Sequence, residues 1–205
     1  MKLFQKLSKV LSVPAGYRLL RQLVGGEKVW RTYLSQYVKP EQGERVLDIG
    51  CGPADVLNYL PQVEYTGLDH SAQYIKSASV RFGNRGRFLC SDVSCVALEK
   101  EQGTFNLALA TGVIHHLNDQ QAADLFSLAR RALRPDGRLI TFDGCYQSNQ
   151  SRIAKWMLNN DRGKFVRTRP EYERLASAEF HQVESHVRND LLRLPYTHMI
   201  MICRS

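Results

Sequence analysis

The fold is decided by residues 45–55, Arg-Val-Leu-Asp-Ile-Gly-Cys-Gly-Pro-Ala-Asp. Their apolar run is short enough for a buried strand, and the two glycines let the chain turn with its backbone close to a ligand. Pro53 is tolerated in the first turn of a helix, because its missing N–H needs no partner there. The stretch therefore predicts a strand, a glycine turn and a helix from about 53 to 60.

A nicotinamide dinucleotide site is one interpretation of this turn, because Gly-x-Gly after a strand also opens the fingerprint Gly-x-Gly-x-x-Gly. The third glycine of that fingerprint would fall at position 55, where Asp55 stands. A carboxylate there competes with a pyrophosphate for the positive end of the helix dipole. Asp48, two residues before the first glycine, suits a cationic group better than an anionic one. We therefore predict a ligand that carries an amino group.

Four motifs in register resemble those of the class I S-adenosylmethionine-dependent methyltransferases. Asp48-x-Gly50-x-Gly52 is similar to the family's first motif. Ala54 stands at that motif's third small position, and Asp69 matches the acid that ends the second strand. Residues 90–93, Cys-Ser-Asp-Val, resemble the adenine-binding motif, and residues 133–139, Leu-Arg-Pro-Asp-Gly-Arg-Leu, resemble the turn before the fifth strand. The resemblance spans about residues 45 to 145 and implies S-adenosylmethionine as the cofactor.

The resemblance also implies how the cofactor is held. Asp48 would organise its amino end while the amides of residues 50–52 approach its backbone, and Asp69 suits the two ribose hydroxyls, because one carboxylate can accept from both. Asp92 would accept from the adenine amino group. Each acid has a structural alternative as a turn or helix-start residue. The predicted cofactor-binding residues are Asp48, Gly50, Cys51, Gly52, Asp69, His70, Asp92, Val93 and Thr111.

Strands that alternate with helices predict an α/β fold with a Rossmann-like, doubly wound sheet, mostly parallel with an antiparallel C-terminal strand. Strands are expected near 45–49, 63–68, 87–90, 105–110, 138–142, 183–187 and 197–203, and helices near 71–81, 119–133, 150–159 and 170–178. A chain of 205 residues fits one domain. We expect leading helices over 1–43 that cap the cofactor, a cofactor-binding core over 44–145, and substrate-side helices and closing strands over 146–205.

Residues 111–119, Thr-Gly-Val-Ile-His-His-Leu-Asn-Asp, follow the fourth strand, where open α/β sheets place their ligand crevice. If 111–117 forms a helical turn, Thr111 and His115 share a face and His116 turns away. We predict that His115 is the catalytic residue, which accepts the proton of a hydroxyl or amine or holds the acceptor in position. The alternative for each histidine is a ring satisfied by neighbouring backbone. No cysteine or carboxylate stands at ligand spacing, so no metal site is predicted.

Candidates for the acceptor pocket come from the leading helices and from the segments after the fifth strand. In this family such leading helices often cover the cofactor, and the fifth strand ends on the same edge of the sheet as the motifs above. The alternative to substrate contact is plain core packing for an aromatic candidate, and a local ion pair on the surface for an arginine. The predicted substrate residues are Tyr17, Arg31, Asp143, Tyr146, Arg162, Tyr196 and His198.

The net charge, the cysteine pattern and the length of the apolar runs indicate which partners and which cellular compartment to expect. The net charge of +8 suits an acidic partner or a solvated basic surface, and no nucleic-acid-binding motif accompanies it. Five cysteines without a Cys-x-x-Cys pattern predict neither a disulfide framework nor a zinc site, which favours the cytoplasm. No apolar run approaches the length of a membrane span, so stable membrane insertion is not expected.

The leading functional interpretation is transfer of a methyl group to oxygen or nitrogen of a small-molecule acceptor. An RNA methyltransferase is an alternative that the charge favours. The usual signature for methylation of base amino groups, Asn or Asp followed by Pro-Pro-Tyr or Pro-Pro-Phe, is absent from residues 110–113, Ala-Thr-Gly-Val. A cofactor-binding interaction protein without catalysis is the other alternative, and turnover of any acceptor would exclude it.

NAD is expected not to bind, because Asp55 occupies the third fingerprint position. Calorimetric titration with NAD should give no saturable heat, while S-adenosylhomocysteine serves as the positive control. Saturable NAD binding that competes with S-adenosylmethionine would contradict the prediction.

Overall fold

The structure is a computed structural model that describes residues 26–91, 98, 101–160 and 163–205. Its strands are β1 (Arg45–Ile49), β2 (Glu64–Asp69), β3 (Gly86–Cys90), β4 (Phe105–Thr111), β5 (Leu133–Tyr146), β6 (Arg167–Thr168), β7 (Gln182–Arg188) and β8 (His198–Arg204). Its α-helices are α1 (Gly26–Tyr33), α2 (Ala72–Phe82), α3 (Asp119–Ala132), α4 (Arg152–Asn159) and α5 (Arg169–Ala176). A π-helical turn, Leu34–Val38, continues α1, and 3₁₀ turns lie at Asp55–Asn58, Gly83–Arg85 and Ile114–His116.

The sheet has the strand order β3-β2-β1-β4-β5-β8-β7, with the short β6 beside β5. Strands β1 to β5 pair in parallel, whereas β8 runs antiparallel to both β5 and β7. The predicted fold class, mostly parallel with an antiparallel C-terminal strand, is confirmed. Strand order reverses between β1 and β4, and open α/β sheets bind ligands beyond the carboxyl ends of the strands at such a point.

Both faces of the sheet are buried, because alternate strand residues enter two separate clusters. Leu47 and Ile49 of β1 pack with α3 and α5, whereas Val46 packs with α1 and α2. In the same way, Ala108 joins the first cluster and Leu107 joins the second. The strands are thus held between helices, and their carboxyl ends lie at one edge of the sheet.

Helix boundaries follow local capping chemistry. The Ser71 side chain accepts from the Tyr74 amide and begins α2, as the sequence predicted. Asn118 and Gln121 form a capping box at the start of α3. The helix predicted for about 53–60 is wrong, since only the 3₁₀ turn Asp55–Asn58 forms there. Ala54 has φ +56, so the chain leaves the glycine turn in the left-handed region and cannot begin a regular helix before Pro61.

The described part of the leading segment is fastened to the sheet by Arg138. This side chain on β5 donates to the carbonyl oxygens of Val38 and Lys39, at 3.0 Å each, where the π-helical turn ends. It also pairs with the Glu44 carboxylate at 2.8 Å, and Glu44 is buried. Residues 1–25, the remainder of the predicted leading helices, lie outside the described residues.

Removing the Arg138 side chain is therefore expected to destabilise the fold, because a buried carboxylate would lose its partner. We expect Arg138→Ala to lower the free energy of unfolding by about 3–5 kcal/mol, measured by urea denaturation. Arg134→Ala is the matched control, since Arg134 forms a solvent-exposed pair with Asp136, and its effect should stay within about 0.5 kcal/mol. Equal effects of the two substitutions would contradict the role given to Arg138.

Candidate functional site

A cavity of about 1130 Å³ opens at the carboxyl edge of the sheet around the β1/β4 reversal. This volume exceeds the range of about 300–1000 Å³ that is typical of a pocket for one small ligand. Its described lining includes carboxylates, imidazoles and aromatic rings from both halves of the chain. Members used below are Trp30, Tyr33, Asp48, Gly50, Cys51, Gly52, Asp69, His70, Thr111, Val113, His115, His116, Phe142, Asp143, Gly144, Tyr196 and His198.

The glycine turn after β1 brings backbone to the cavity, but its amides already have acceptors within the protein. Gly50 and Cys51 both donate to the Leu68 carbonyl oxygen at 2.8 Å, and Gly52 donates to Oδ2 of Asp69 at 2.8 Å. These hydrogen bonds fasten the turn to the end of β2, and the approach of this backbone to the cofactor stays a prediction. The turn provides a wall whose two glycines carry no side chain.

Asp69 is buried at the end of β2, where its two oxygens accept backbone amides. Oδ1 accepts from Ser71 at 2.8 Å, and Oδ2 accepts from Gly52. A carboxylate offers about four acceptor positions, so Asp69 retains capacity for two hydroxyl donors in the cavity. His70 is 85% exposed and its Nδ1 lies 3.6 Å from Oδ1 of Asp69, at the cavity wall.

Asp48 is the most strongly perturbed acid of the site. It lies on β1, fully within the sheet, and its Oδ2 accepts from the Tyr65 hydroxyl at 2.6 Å. Burial raises the pKa of Asp48 to about 7, the Tyr65 hydrogen bond opposes this rise, and the charge of Asp69 adds to it. A cationic group entering the cavity would favour the ionised carboxylate, which suits Asp48 to an amino group.

Cys51 and Thr111 complete the described cofactor candidates, and both line the cavity. Burial raises the pKa of the Cys51 thiol, so the thiol stays neutral at physiological pH. The Thr111 hydroxyl lies 3.5 Å from the hydroxyl of Tyr33, which belongs to α1. Asp92 and Val93, the predicted adenine-binding residues, lie outside the described residues.

His115 and Asp143 form a buried pair where β4 and β5 end. His115 Nδ1 lies 2.7 Å from Oδ1 of Asp143, and the His115 backbone N–H donates to the same oxygen at 3.2 Å. An ionised carboxylate is an acceptor only, so the hydrogen of this contact belongs to Nδ1. The side chains of His115 and Asp143 are 8% and 3% exposed. The carboxylate thereby sets the tautomer of the ring.

The helical turn assumed for 111–117 does not form, because Gly112 has φ +70 and only Ile114–His116 makes a 3₁₀ turn. Thr111 and His115 both reach the cavity nonetheless. His116 does not turn away as expected. Its ring centroid lies 4.1 Å from that of His115, and His116 is an exposed residue of the cavity wall.

A row of rings forms the wall beside this pair. Tyr33 and Phe142 have centroids 5.0 Å apart, and Phe142 stacks on His198 at 4.6 Å. Tyr196 lies 4.6 Å from His198 on the other side. The row links α1, β5 and the segment before β8. Tyr196 and His198, two of the predicted substrate residues, therefore do line the cavity.

Two predicted substrate residues do not line the cavity. Arg31 is 72% exposed and pairs with Glu27 at 2.8 Å, because the buried face of α1 carries Trp30 and Tyr33. Tyr146 turns its hydroxyl to Asn159 of α4, to which it donates at 2.7 Å. Their roles as substrate contacts stay predictions, and neither residue is among those that line the cavity. Tyr17 and Arg162 lie outside the described residues.

A family model described as a methyltransferase domain matches residues 46–137. Malonyl-[acyl-carrier protein] O-methyltransferase of Paenibacillus sp. strain JDR-2 is 32% identical over 104 residues, which cover 47% of this chain and 37% of that protein. Demethylmenaquinone methyltransferase of Staphylococcus carnosus strain TM300 is 23% identical over 194 residues, 86% of this chain and 78% of that protein. The match over residues 46–137 and these relatives support the class I S-adenosylmethionine-dependent methyltransferase family that the sequence predicted. The family and cofactor predicted from the sequence are confirmed.

The fold is shared with solved methyltransferase structures. Phosphoethanolamine N-methyltransferase 2 of Haemonchus contortus, bound to phosphomonomethylethanolamine and S-adenosylhomocysteine, has a TM-score of 0.65 and 22% identity, covering 81% of this chain and 40% of that one. The chain spans between 30% and 39% of the length of three curated relatives that it matches.

Two other expectations concern membranes and metals. Within the described ranges, no helix is both long enough and apolar enough to cross a bilayer. The described residues contain no group of three His, Cys, Asp or Glu side chains that could hold one metal ion. The absence of a metal site stays a prediction.

Sequence reasoning missed several residues that line the cavity. Trp30 and Tyr33 were visible as a helical aromatic face, yet such a face also suits plain core, and here it serves both purposes. Phe142 lies in a predicted strand whose alternation could have placed it opposite buried Thr141. Gly163, which packs on the His115 ring, had no local signal at all.

Cofactor affinity is expected to depend on pH through Asp48. Because its pKa is raised to about 7, Asp48 gains a proton as pH falls below 7, and binding of S-adenosylhomocysteine should weaken over that range. Asp48→Asn should bind more weakly at pH 8, with a flatter pH profile. Calorimetry from pH 6 to 8 measures both.

The same substitution should stabilise the cofactor-free protein. A carboxyl whose pKa is raised by folding binds its proton more tightly when folded, so its contribution is lost as pH rises from about 4 to about 7. Asp48→Asn should therefore raise the free energy of unfolding at pH 8 by on the order of 1–3 kcal/mol, with a smaller gain at pH 5. A destabilised Asn variant with unchanged affinity would contradict the assignment.

Proposed function

We propose that this chain transfers a methyl group from S-adenosylmethionine to oxygen or nitrogen of a small-molecule acceptor, with His115 as the general base. One observation carries the proposal: the 2.7 Å contact between His115 Nδ1 and Asp143 Oδ1. This pair lies in the same cavity as Asp48 and Asp69, the acids expected to hold the cofactor. The proposed base, His115, therefore lines the same cavity as the two acids that are expected to bind the cofactor.

The cofactor half of the cavity fits its proposed ligand. The Asp48 carboxylate suits the cofactor's ammonium group, and Asp69 has acceptor capacity for its ribose hydroxyls. The glycine turn allows close approach of the ligand to the backbone. When bound, S-adenosylmethionine supplies an activated methyl group, whose carbon–sulfur bond breaks as the bond to the acceptor forms.

The role of His115 follows from its hydrogen bond. Because Asp143 engages Nδ1–H, proton acceptance falls to Nε2, which takes the hydrogen of the acceptor hydroxyl or amine. The imidazolium formed in this way is stabilised by the buried Asp143 carboxylate, as in other histidine bases oriented by an acid. Asp143 therefore fixes the tautomer before the reaction and offsets the positive charge after it.

The ring wall supplies the acceptor's binding surface. Tyr33, Phe142, His198 and Tyr196 present apolar faces together with polar edges, which suits an acceptor with a hydrophobic part near its reacting atom. Relatives named as an O-methyltransferase and an N-methyltransferase support both acceptor atoms. We also infer a cytoplasmic location, which the described cysteines 51, 90, 145 and 203 support because none is in a disulfide.

The test is methyl transfer into a metabolite extract. The protein is incubated with methyl-labelled S-adenosylmethionine and fractionated extract, and labelled products are identified by mass spectrometry. With an acceptor in hand, His115→Asn should lower kcat about 10²-fold or more while affinity for S-adenosylhomocysteine is unchanged, because only the base is lost.

His116→Asn is the matched control, because this neighbouring ring also lines the cavity whereas the 2.7 Å contact with Asp143 belongs to His115. It should retain kcat within a few-fold and show its main effect in thermal stability. A larger loss of kcat for His116→Asn than for His115→Asn would reverse the assignment, and no labelled product from any extract would contradict the proposed activity.

A further inference from the structure

A segment outside the family motifs contacts His115 and also the two residues that follow Asp143. It runs from Gly163 through β6 to Tyr172 in α5. We infer that Arg167, at its centre, is a positioning residue that holds His115 in register with Asp143. The inference rests on the proposed function, because it assigns Arg167 to the same base.

The Arg167 guanidinium donates hydrogen bonds to the loop that carries His115, to the segment itself and to Asp119 at the start of α3. Nη1 donates to the carbonyl oxygens of Ile114 at 3.2 Å and Phe165 at 3.0 Å. Nη2 donates to the Leu117 carbonyl oxygen at 2.8 Å. The 3₁₀ turn that holds His115 is thus bonded to one side chain on both sides of the histidine.

Asp119 completes this clamp and anchors it to α3. Nε and Nη2 of Arg167 both donate to Oδ1 of Asp119, at 3.0 and 2.7 Å. The hydrogen bond from Arg167 holds the pKa of Asp119 below its usual range. The Arg167 side chain is only 7% exposed. A guanidinium so far from water, with four different acceptors, has a fixed position.

The segment also contacts His115 directly. The Phe165 amide donates to the His115 carbonyl oxygen at 2.9 Å. Gly163 lies against the imidazole so closely that an added Cβ would overlap Cδ2 of the ring. The segment therefore hydrogen-bonds the His115 backbone through Phe165, and Gly163 packs against one side of the His115 ring.

Asp143 is held from the same segment. β6 pairs in parallel with the end of β5, with Arg167 opposite Cys145. The Tyr172 hydroxyl donates to the Gly144 carbonyl oxygen at 3.0 Å, one residue after Asp143. The Arg167 guanidinium lies over the Tyr172 ring, 5.8 Å from its centroid. Arg167 thus contacts both the loop that carries His115 and the tyrosine that bonds the residue after Asp143. Loss of Arg167 should therefore change the position of His115 relative to Asp143.

The tautomer of His115 tests this role without any acceptor. Histidine in water prefers its hydrogen on Nε2, so the Nδ1–H form in the protein reports an intact contact with Asp143. Two-bond hydrogen–nitrogen correlation NMR on ¹⁵N-histidine protein with S-adenosylhomocysteine reads the tautomer, and the His115→Asn spectrum assigns the signal. We expect Nδ1–H in the wild type and a shift toward Nε2–H in Arg167→Met.

Arg174→Met is the matched control, because Arg174 pairs with the same Asp119, at 3.1 Å to Oδ2, from the exposed surface of α5. It should leave the His115 signals unchanged. Gly163→Ala, which pushes on the ring and leaves Arg167 in place, is the positive control that shows how a displaced ring changes the signal. Arg167→Lys serves if Arg167→Met does not fold. His115 signals that match the wild type in the folded Arg167 variant would overturn the inference.

Kinetics give the second readout once an acceptor is known. Arg167→Met should lower kcat about tenfold or more and alter its pH profile, with KM for S-adenosylmethionine within about twofold, because misplacing a base costs rate rather than cofactor binding. A rise in that KM without a fall in kcat would also overturn the inference. If the wild type transfers no methyl group but the tautomer still shifts in Arg167→Met, the proposed function fails and the positioning role stands.

Discussion

The absence of a side chain at Gly50 lets the loop after β1 lie against the loop after β4, and the rest of the site depends on this approach. A Cβ at position 50 would lie 2.5 Å from Cγ2 of Val113, and the residue has φ +72. No other residue type fits both conditions. Since Val113 is two residues from His115, the same contact that shapes the cofactor half also sets the distance to the proposed base.

Three buried carboxylates line the resulting cavity, and each is stabilised in a different way. Asp69 accepts two backbone amides, Asp143 accepts from the ring and the backbone of His115, and Asp48 accepts from one tyrosine hydroxyl. Burial of a charge is costly unless hydrogen bonds or an opposite charge offset it. Asp48 has the weakest compensation, which is why its pKa is raised to about 7. The site thus retains one acid whose ionisation a cationic ligand completes.

The sequence predicted what depends on local spacing. The positions of the strands, the β1 turn, Asp69 at the end of β2 and the start of α2 all follow from short stretches of sequence. His115 was reached through a helical turn that does not form, so its placement in the cavity rests on the end of β4 instead. Arg31 was predicted as part of the leading helices, but the face of α1 that the fold buries carries Trp30 and Tyr33. Gly163 and Arg167 act across about 50 residues, and no local pattern encodes such a contact.

The features that the sequence predicted and those that it missed lie in different parts of the chain, and the ligands expected for each part explain why. The family model ends at residue 137, and the expected cofactor contacts lie before that point, where the shared ligand imposes shared local motifs. Asp143, Arg167 and the β8 rings lie beyond it and come together only through the sheet. His115 belongs to the matched part, whereas the carboxylate and the arginine that fix its ring do not. The acceptor half can therefore change its ring wall or its supports without disturbing the β1 and β2 contacts, and the coupling between the halves passes through the short loop from Gly112 to Asp119.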